Sequence, residues 1–253
     1  MIRTFVNGRV LLCSALLALA AASAVMAAGN AELDHAQTDI GNVASLQRGA
    51  KLFVNYCQGC HGSQYMRYSR LGEDLDLTEE QIEENLIFSD AKVGDVMLSA
   101  MDPVDQEVWL GAKAPDLSVV SRSRGVDWLY TYLRQFYIDP SRPIGWNNKA
   151  YPNANMPNVF WEMQGVRKAV YETHENDEGV EETKLVGFEQ VTEGTMTEEE
   201  FDQTMLDLVS YLEYLGEPAK LQRESLGIWV LLYLALFTFV AYLLKKEFWK
   251  DVK

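Results

Sequence analysis

Cys57-Gln-Gly-Cys-His61 constrains this chain more than any other feature. C-x-x-C-H is the run in which two thiols form thioethers to a haem and the next imidazole ligates its iron. The spacing has a mechanical reason. Cysteines three positions apart on one helical turn reach the two vinyl-derived carbons on one edge of a porphyrin. The residue directly after them then lies beneath the metal, where imidazole suits iron. The chain holds three cysteines and three histidines in all, so few other ligands compete. A redox dithiol would need a βαβ setting, which the flanks lack. A structural zinc site would want four ligands, and no second cysteine pair exists.

The N-terminus supplies an export context. Arg3 and Arg9 flank a short polar start, Val10 to Met26 is apolar and rich in Ala and Leu, and Val25-Met26-Ala27 offers a cleavage position before Ala28. This is the pattern of a signal peptide over 1–27, with a retained membrane anchor as the alternative. Cys13 lies inside it, so a processed chain would keep only Cys57 and Cys60.

The C-terminal end carries an apolar run without charge, Leu226 to Leu244. At about 1.5 Å per residue its length approaches the thickness of a bilayer hydrocarbon core. Trp229 and Tyr242 lie near its ends, and Lys245, Lys246, Lys250 and Lys253 follow. Those lysines predict a cytoplasmic C-terminus. The expected organisation is a signal peptide (1–27), an exported haem domain (28–225), a transmembrane anchor (226–244) and a cytoplasmic tail (245–253).

The 22 basic and 37 acidic residues leave a net charge of −15. A field of that sign repels nucleic acid and steers basic partners, an effect that salt weakens. Within the exported part, Leu46, Ala50, Phe53, Val54 and Cys57 recur at helical spacing after Ser45 and carry the thiols toward a buried face. Thr78-Glu-Glu-Gln81 and Thr197-Glu-Glu-Glu200 are capping-box patterns that open two further helices. Val126 to Phe136 marks another. Gly216 and Pro218 end the last soluble helix. Val166–Thr173 and Val180–Phe188 read as the two strands of a β-hairpin.

For the second axial position, His35 and His174 lie in polar segments and read as solvent-exposed. Met205 continues an apolar helix stripe and reads as core. Met156 differs: it stands in the proline-bounded loop Tyr151-Pro-Asn-Ala-Asn-Met-Pro157, which can hold a thioether against iron. His/Met ligation raises the potential and leaves no open position, which suits electron transfer.

Taken in order, these segments resemble the cytochrome c1 family, the haem c subunit of the cytochrome bc1 (ubiquinol–cytochrome c reductase) complex. The carriers are the pentapeptide, Tyr65-Met-Arg-Tyr-Ser-Arg-Leu71, Ala114-Pro-Asp-Leu-Ser118 with Arg122 and Arg124, Asn155-Met-Pro157, Asp207 to Leu212 with Gly216-Glu-Pro218, and the lysine-flanked span. Pro157-Asn158 stands where the family often has two prolines.

The resemblance implies a mainly α fold, a class I c-type cytochrome-like haem domain with a small β-hairpin and one C-terminal transmembrane helix. It implies one covalent haem c on Cys57 and Cys60, with His61 and Met156 as axial ligands. Pro115 would orient His61 through a backbone carbonyl, and Arg122 or Arg124 would pair with a haem propionate. The implied role is electron relay from the Rieske iron–sulfur protein to a cytochrome c, beside cytochrome b. The place would be a bacterial inner membrane, with the haem domain on the periplasmic side. Two alternatives share most of these features. One is another membrane-anchored monohaem carrier serving a terminal oxidase or nitric oxide reductase. The other is an enzyme or gas sensor with an open iron position.

Overall fold

The structure is a computed structural model that describes residues 33–175 and 181–251. The expected signal peptide and Cys13 lie outside them. Helices make up about half of the described residues, and two small sheets accompany them.

Helix α1 (Val43–Leu52) runs into a five-residue π-helical turn, Phe53–Cys57. Asn42 caps α1 by accepting from the Ser45 N–H. The helix therefore begins two residues before Ser45, with Asn42 rather than Ser45 as its cap. α1 packs against α8 (Glu198–Gly216), and their buried faces supply much of the core: Leu46, Ala50, Phe53, Met205, Leu208 and Tyr211. Gly49 makes that crossing possible, since a Cβ there would collide with the Asp207 carbonyl and the Tyr211 Cβ. Buried Asp207 locks the crossing by accepting from Ser45 Oγ (2.6 Å) and from Arg48 Nε and Nη2 (2.5 and 2.9 Å). Removing one partner of such a buried charged group is far costlier than the pair's net worth.

After the pentapeptide come strand β1 (Ser63–Arg67), helices α2 (Tyr68–Leu75) and α3 (Glu79–Leu86), and strand β2 (Val96–Met97), which pairs antiparallel with β1. α3 opens with the expected capping box, Thr78 and Gln81 each bonding the other's backbone N–H. Next are α4 (Pro103–Leu110), α5 (Val120–Arg124) and α6 (Val126–Arg134). β3 (Phe136–Ile138) and β4 (Trp146–Asn148) follow, then α7 (Trp161–Gln164). β5 (Val166–Glu175) and β6 (Glu181–Thr192) form the long hairpin. The sheet order is β4-β3-β5-β6, with β3 and β5 parallel.

The β content thus exceeds a hairpin, and the second hairpin strand runs four residues past Phe188, to Thr192. Short strands such as β3 and β4 carry too little alternation to stand out from loop sequence. α8 opens with the second capping box, Thr197 with Glu200, and ends at Gly216 as expected. α9 (Lys220–Phe248) is long and apolar enough to cross a membrane, and its apolar window is fully unburied in the protein itself. It extends the expected span by six residues at the N-terminal side and four at the other.

Candidate haem site

Cys57 ends the π-helical turn, in which the Gln58 N–H reaches back to the Phe53 carbonyl at 2.9 Å, five residues away. Such turns are rare and concentrate at functional positions. The Cys57 carbonyl then accepts from the N–H groups of Cys60 (3.0 Å) and His61 (2.7 Å). Cys57, Cys60 and His61 are thereby presented by one tight turn. All three line a single cavity of about 400 Å³, within the range of pockets that enclose small prosthetic groups.

The rest of the lining comes from far along the chain. α6 contributes Trp128, Leu129, Tyr132 and Leu133; α8 contributes Leu208 and Leu212; the loop before α7 contributes Ala154, Asn155, Met156 and Pro157. Leu110, Pro115 and Leu117 complete an apolar wall, with Arg124 among the few charged groups. The sequence-predicted residues separate here. Met156, Pro115 and Arg124 meet the pentapeptide at the cavity, whereas Arg122 is not among its lining. Arg122 instead lies along the end of α8, where its Cγ would be 3.3 Å from a Cβ placed on Gly216. The Arg124 guanidinium stands 5.1 Å from the Trp128 ring centroid and 6.0 Å from that of Tyr151, positions suited to cation–π attraction. His35 is exposed beside Asp127, and Met205 is fully buried in the core.

His61 Nδ1 lies 2.7 Å from the Pro115 carbonyl oxygen. A carbonyl only accepts, so Nδ1 carries the hydrogen. Burial pushes the His61 pKa down, against the opposing pull of the Pro115 hydrogen bond and the Asp116 charge. The neutral ring then keeps Nε2 unprotonated, the tautomer a metal-ligating imidazole requires.

Burial drives the Cys57 thiol up to about 12 and raises Cys60 as well. Thiolates, the form that attacks disulfides or binds zinc, are thereby disfavoured. A thioether carries no charge and loses nothing by the same burial. At the Met156 end, the Tyr132 hydroxyl donates to the thioether sulfur at 3.5 Å. Burial raises the Tyr132 pKa and keeps that hydroxyl a donor. The donor set and the apolar walls fit a covalently held haem.

Several supporting residues escaped the sequence reading. Asn148, fully buried, donates to the Tyr132 carbonyl (2.7 Å) and accepts from the N–H groups of Ala150 (2.9 Å) and Tyr151 (3.1 Å). Asn147 accepts from the Asn153 N–H at 2.7 Å. Arg142 donates to Asn153 Oδ1, the Asn153 carbonyl and Asn155 Oδ1. Together they shape the loop that carries Met156. Gln106 is buried on α4 and bonds to the pentapeptide backbone.

A thiol pair, an imidazole and a thioether around one apolar cavity define a c-type haem protein. Comparison with known proteins carries this further. Residues 37–252 match the Cytochrome C1 family. Cytochrome c1 of Allochromatium vinosum is 45% identical over 244 residues, covering 96% of this chain and 99% of that protein. A protein named ammonia monooxygenase gamma subunit, from Nitrosomonas europaea, is 45% identical over 87% of this chain and 89% of its own length. Cytochrome c1 of Rhodospirillum rubrum is 28% identical over 82% of each. The chain belongs to the cytochrome c1 family. It carries one covalent haem c and serves electron transfer as a subunit of a cytochrome bc1 complex.

Proposed function

We propose that this chain takes electrons from the Rieske iron–sulfur protein and delivers them to a cytochrome c, in an assembly with cytochrome b. The observation that carries the reading is the convergence of Cys57, Cys60, His61 and Met156 on one apolar cavity, with His61 already oriented by the Pro115 carbonyl. Bound there, haem c supplies a one-electron iron couple. Cys57 and Cys60 would hold it through thioethers, and His61 Nε2 and the Met156 sulfur would be the protein's ligands to its iron. Two protein ligands of these kinds would suit one-electron transfer rather than oxygen or peroxide chemistry. Arg124 pairs with a propionate, and Tyr132 keeps the Met156 thioether in place. The leucines of α6 and α8 exclude water and so favour the less charged iron state. The haem domain is read as a class I c-type cytochrome-like fold.

Residues 1–27 direct export, and the stretch 226–244 within α9 anchors the domain. The domain then faces the periplasm of a bacterial inner membrane, with 245–253 in the cytoplasm, an orientation favoured by the lysines beyond the span.

Mild detergent purification of the tagged full-length chain tests the assignment. Spectra should show haem b beside haem c and the signal of a Rieske cluster, and added ubiquinol should reduce the haem c. A carrier serving a terminal oxidase or nitric oxide reductase would copurify with those enzymes instead. Copurification with a monooxygenase would favour the second reading, suggested by the name of the Nitrosomonas relative.

A further inference from the structure

α4 is built inside out. Val104, Val108 and Trp109 are 64%, 74% and 65% exposed, while the one buried side chain of the helix is Gln106, at 2%. A helix normally docks through an apolar stripe; this one docks through an amide. Gln106 Nε2 donates to the Cys60 carbonyl at 2.9 Å, with longer contacts to Ser99 Oγ (3.3 Å) and the Met101 carbonyl (3.2 Å). Its Oε1 accepts from the Ala114 N–H at 2.8 Å. Both ends of the amide are therefore used, as burial demands.

The two principal partners are telling. The Cys60 carbonyl belongs to the peptide bond that enters His61. Ala114 immediately precedes Pro115, whose carbonyl accepts from His61 Nδ1 at 2.7 Å. One rigid amide thus spans the two backbone segments whose separation sets the His61–Pro115 hydrogen bond. We infer that Gln106 is a positioning residue for the proximal histidine: it holds the Pro115 carbonyl at bonding distance from Nδ1 and so sets how strongly His61 donates to iron. A strong Nδ1–H···O=C bond makes the imidazole more basic, which favours the oxidised metal and lowers the potential.

This inference rests on the reading of His61 as haem ligand. The same segment is also tied on its far side, by the Leu117 N–H to the Gly62 carbonyl (2.8 Å) and the Gln64 N–H to Asp116 Oδ2 (2.9 Å). Loss of the Gln106 bridge should therefore loosen the site without dismantling it.

The test is a redox titration of the haem-loaded full-length chain in detergent, with Gln106→Leu and Gln106→Asn beside the unsubstituted protein. Gln106→Leu breaks both bonds. Gln106→Asn keeps a neutral amide that is one methylene too short to reach both partners at once. Both should retain covalent haem and the sulfur-to-iron absorption band, show a raised potential, and move the His61 Nδ1–H proton resonance of the reduced protein upfield, as a weakened hydrogen bond requires. Gln106→Leu should shift further than Gln106→Asn. An unchanged potential and an unmoved His61 Nδ1–H resonance would overturn the inference, and so would a lowered potential, which signals water entry in place of a weaker histidine.

Amide exchange in the unsubstituted chain is a second arm, independent of whether the variants fold. The segment containing Ala114 should exchange slowly, and exchange as fast as a free loop would overturn the bridge. Absence of covalent haem from the unsubstituted protein would sink the haem reading itself, an outcome distinct from any of these.

Discussion

His61 and Met156 reach the same cavity on supports of different kinds. His61 follows a helix and a π-helical turn rooted in the core, with Phe53 fully buried against Tyr211 at a ring-centroid separation of 5.5 Å. Met156 hangs in a loop without regular structure, shaped by Asn147, Asn148 and Arg142. Apolar packing holds the first, and directional polar bonds hold the second. Packing spreads its energy over many weak contacts and degrades gradually, whereas a buried polar network loses several bonds with one side chain. The distal side should therefore fail first, and with less warning from global stability.

The largest expected effect belongs to the proximal support. Phe53→Ala should lower stability by about 3–5 kcal/mol, the usual cost of deleting a buried aromatic ring, read by chemical denaturation of the full-length chain in detergent. The thioethers should keep His61 on the iron through the native baseline. A loss below about 1 kcal/mol would show that the π-helical turn is not anchored by packing.

Asn148→Ala comes next. It strands the Ala150 and Tyr151 N–H groups and the Tyr132 carbonyl, and unmet buried groups cost roughly 1–3 kcal/mol each before relaxation. The net loss should be about 2–3 kcal/mol, yet the Met156 sulfur band should weaken and carbon monoxide should bind, neither of which Phe53→Ala should cause. If the order of these spectral effects reverses, the contrast between the two supports is wrong.

These two supports were not equally legible in the sequence. The pentapeptide, the apolar stripe from Leu46 to Cys57, both capping boxes and the apolar C-terminal helix follow from local spacing, and local spacing is what a sequence displays. Met156 could be singled out by its proline-bounded loop. Its holders could not, because Asn148 and Tyr132 are joined by a hydrogen bond between residues sixteen positions apart. Gln106 was hidden for the opposite reason: among the exposed apolar side chains of α4 it looks like the solvent-facing residue, and only tertiary contact shows it to be the buried one. The π-helical turn has no distinct composition either. Which of Arg122 and Arg124 lines the cavity depends on how α5 packs against α8, which spacing alone does not fix.

A change remote from both ligands provides the smallest effect and a control. Thr197 caps α8, and the Glu200 carboxylate is held below the usual range by hydrogen bonds from the Thr197 backbone N–H and then its hydroxyl. A carboxylate depressed on folding contributes fully above its unfolded pKa and loses that contribution as pH falls through the folded value. Thr197→Ala should cost about 1 kcal/mol at neutral pH, and the deficit should shrink in acid, measured by denaturation at several pH values. Neither the His61 Nδ1–H resonance nor the sulfur band should move, since α8 meets the cavity only further along, at Leu208 and Leu212.

The central claim is that one cavity holds a covalent haem between His61 and Met156, and the absorption spectrum of oxidised Met156→Ala tests it most directly. The account predicts that the haem stays covalently attached through Cys57 and Cys60 while the weak red sulfur-to-iron band disappears. A variant that keeps that band unchanged would place another residue on the iron and contradict the account.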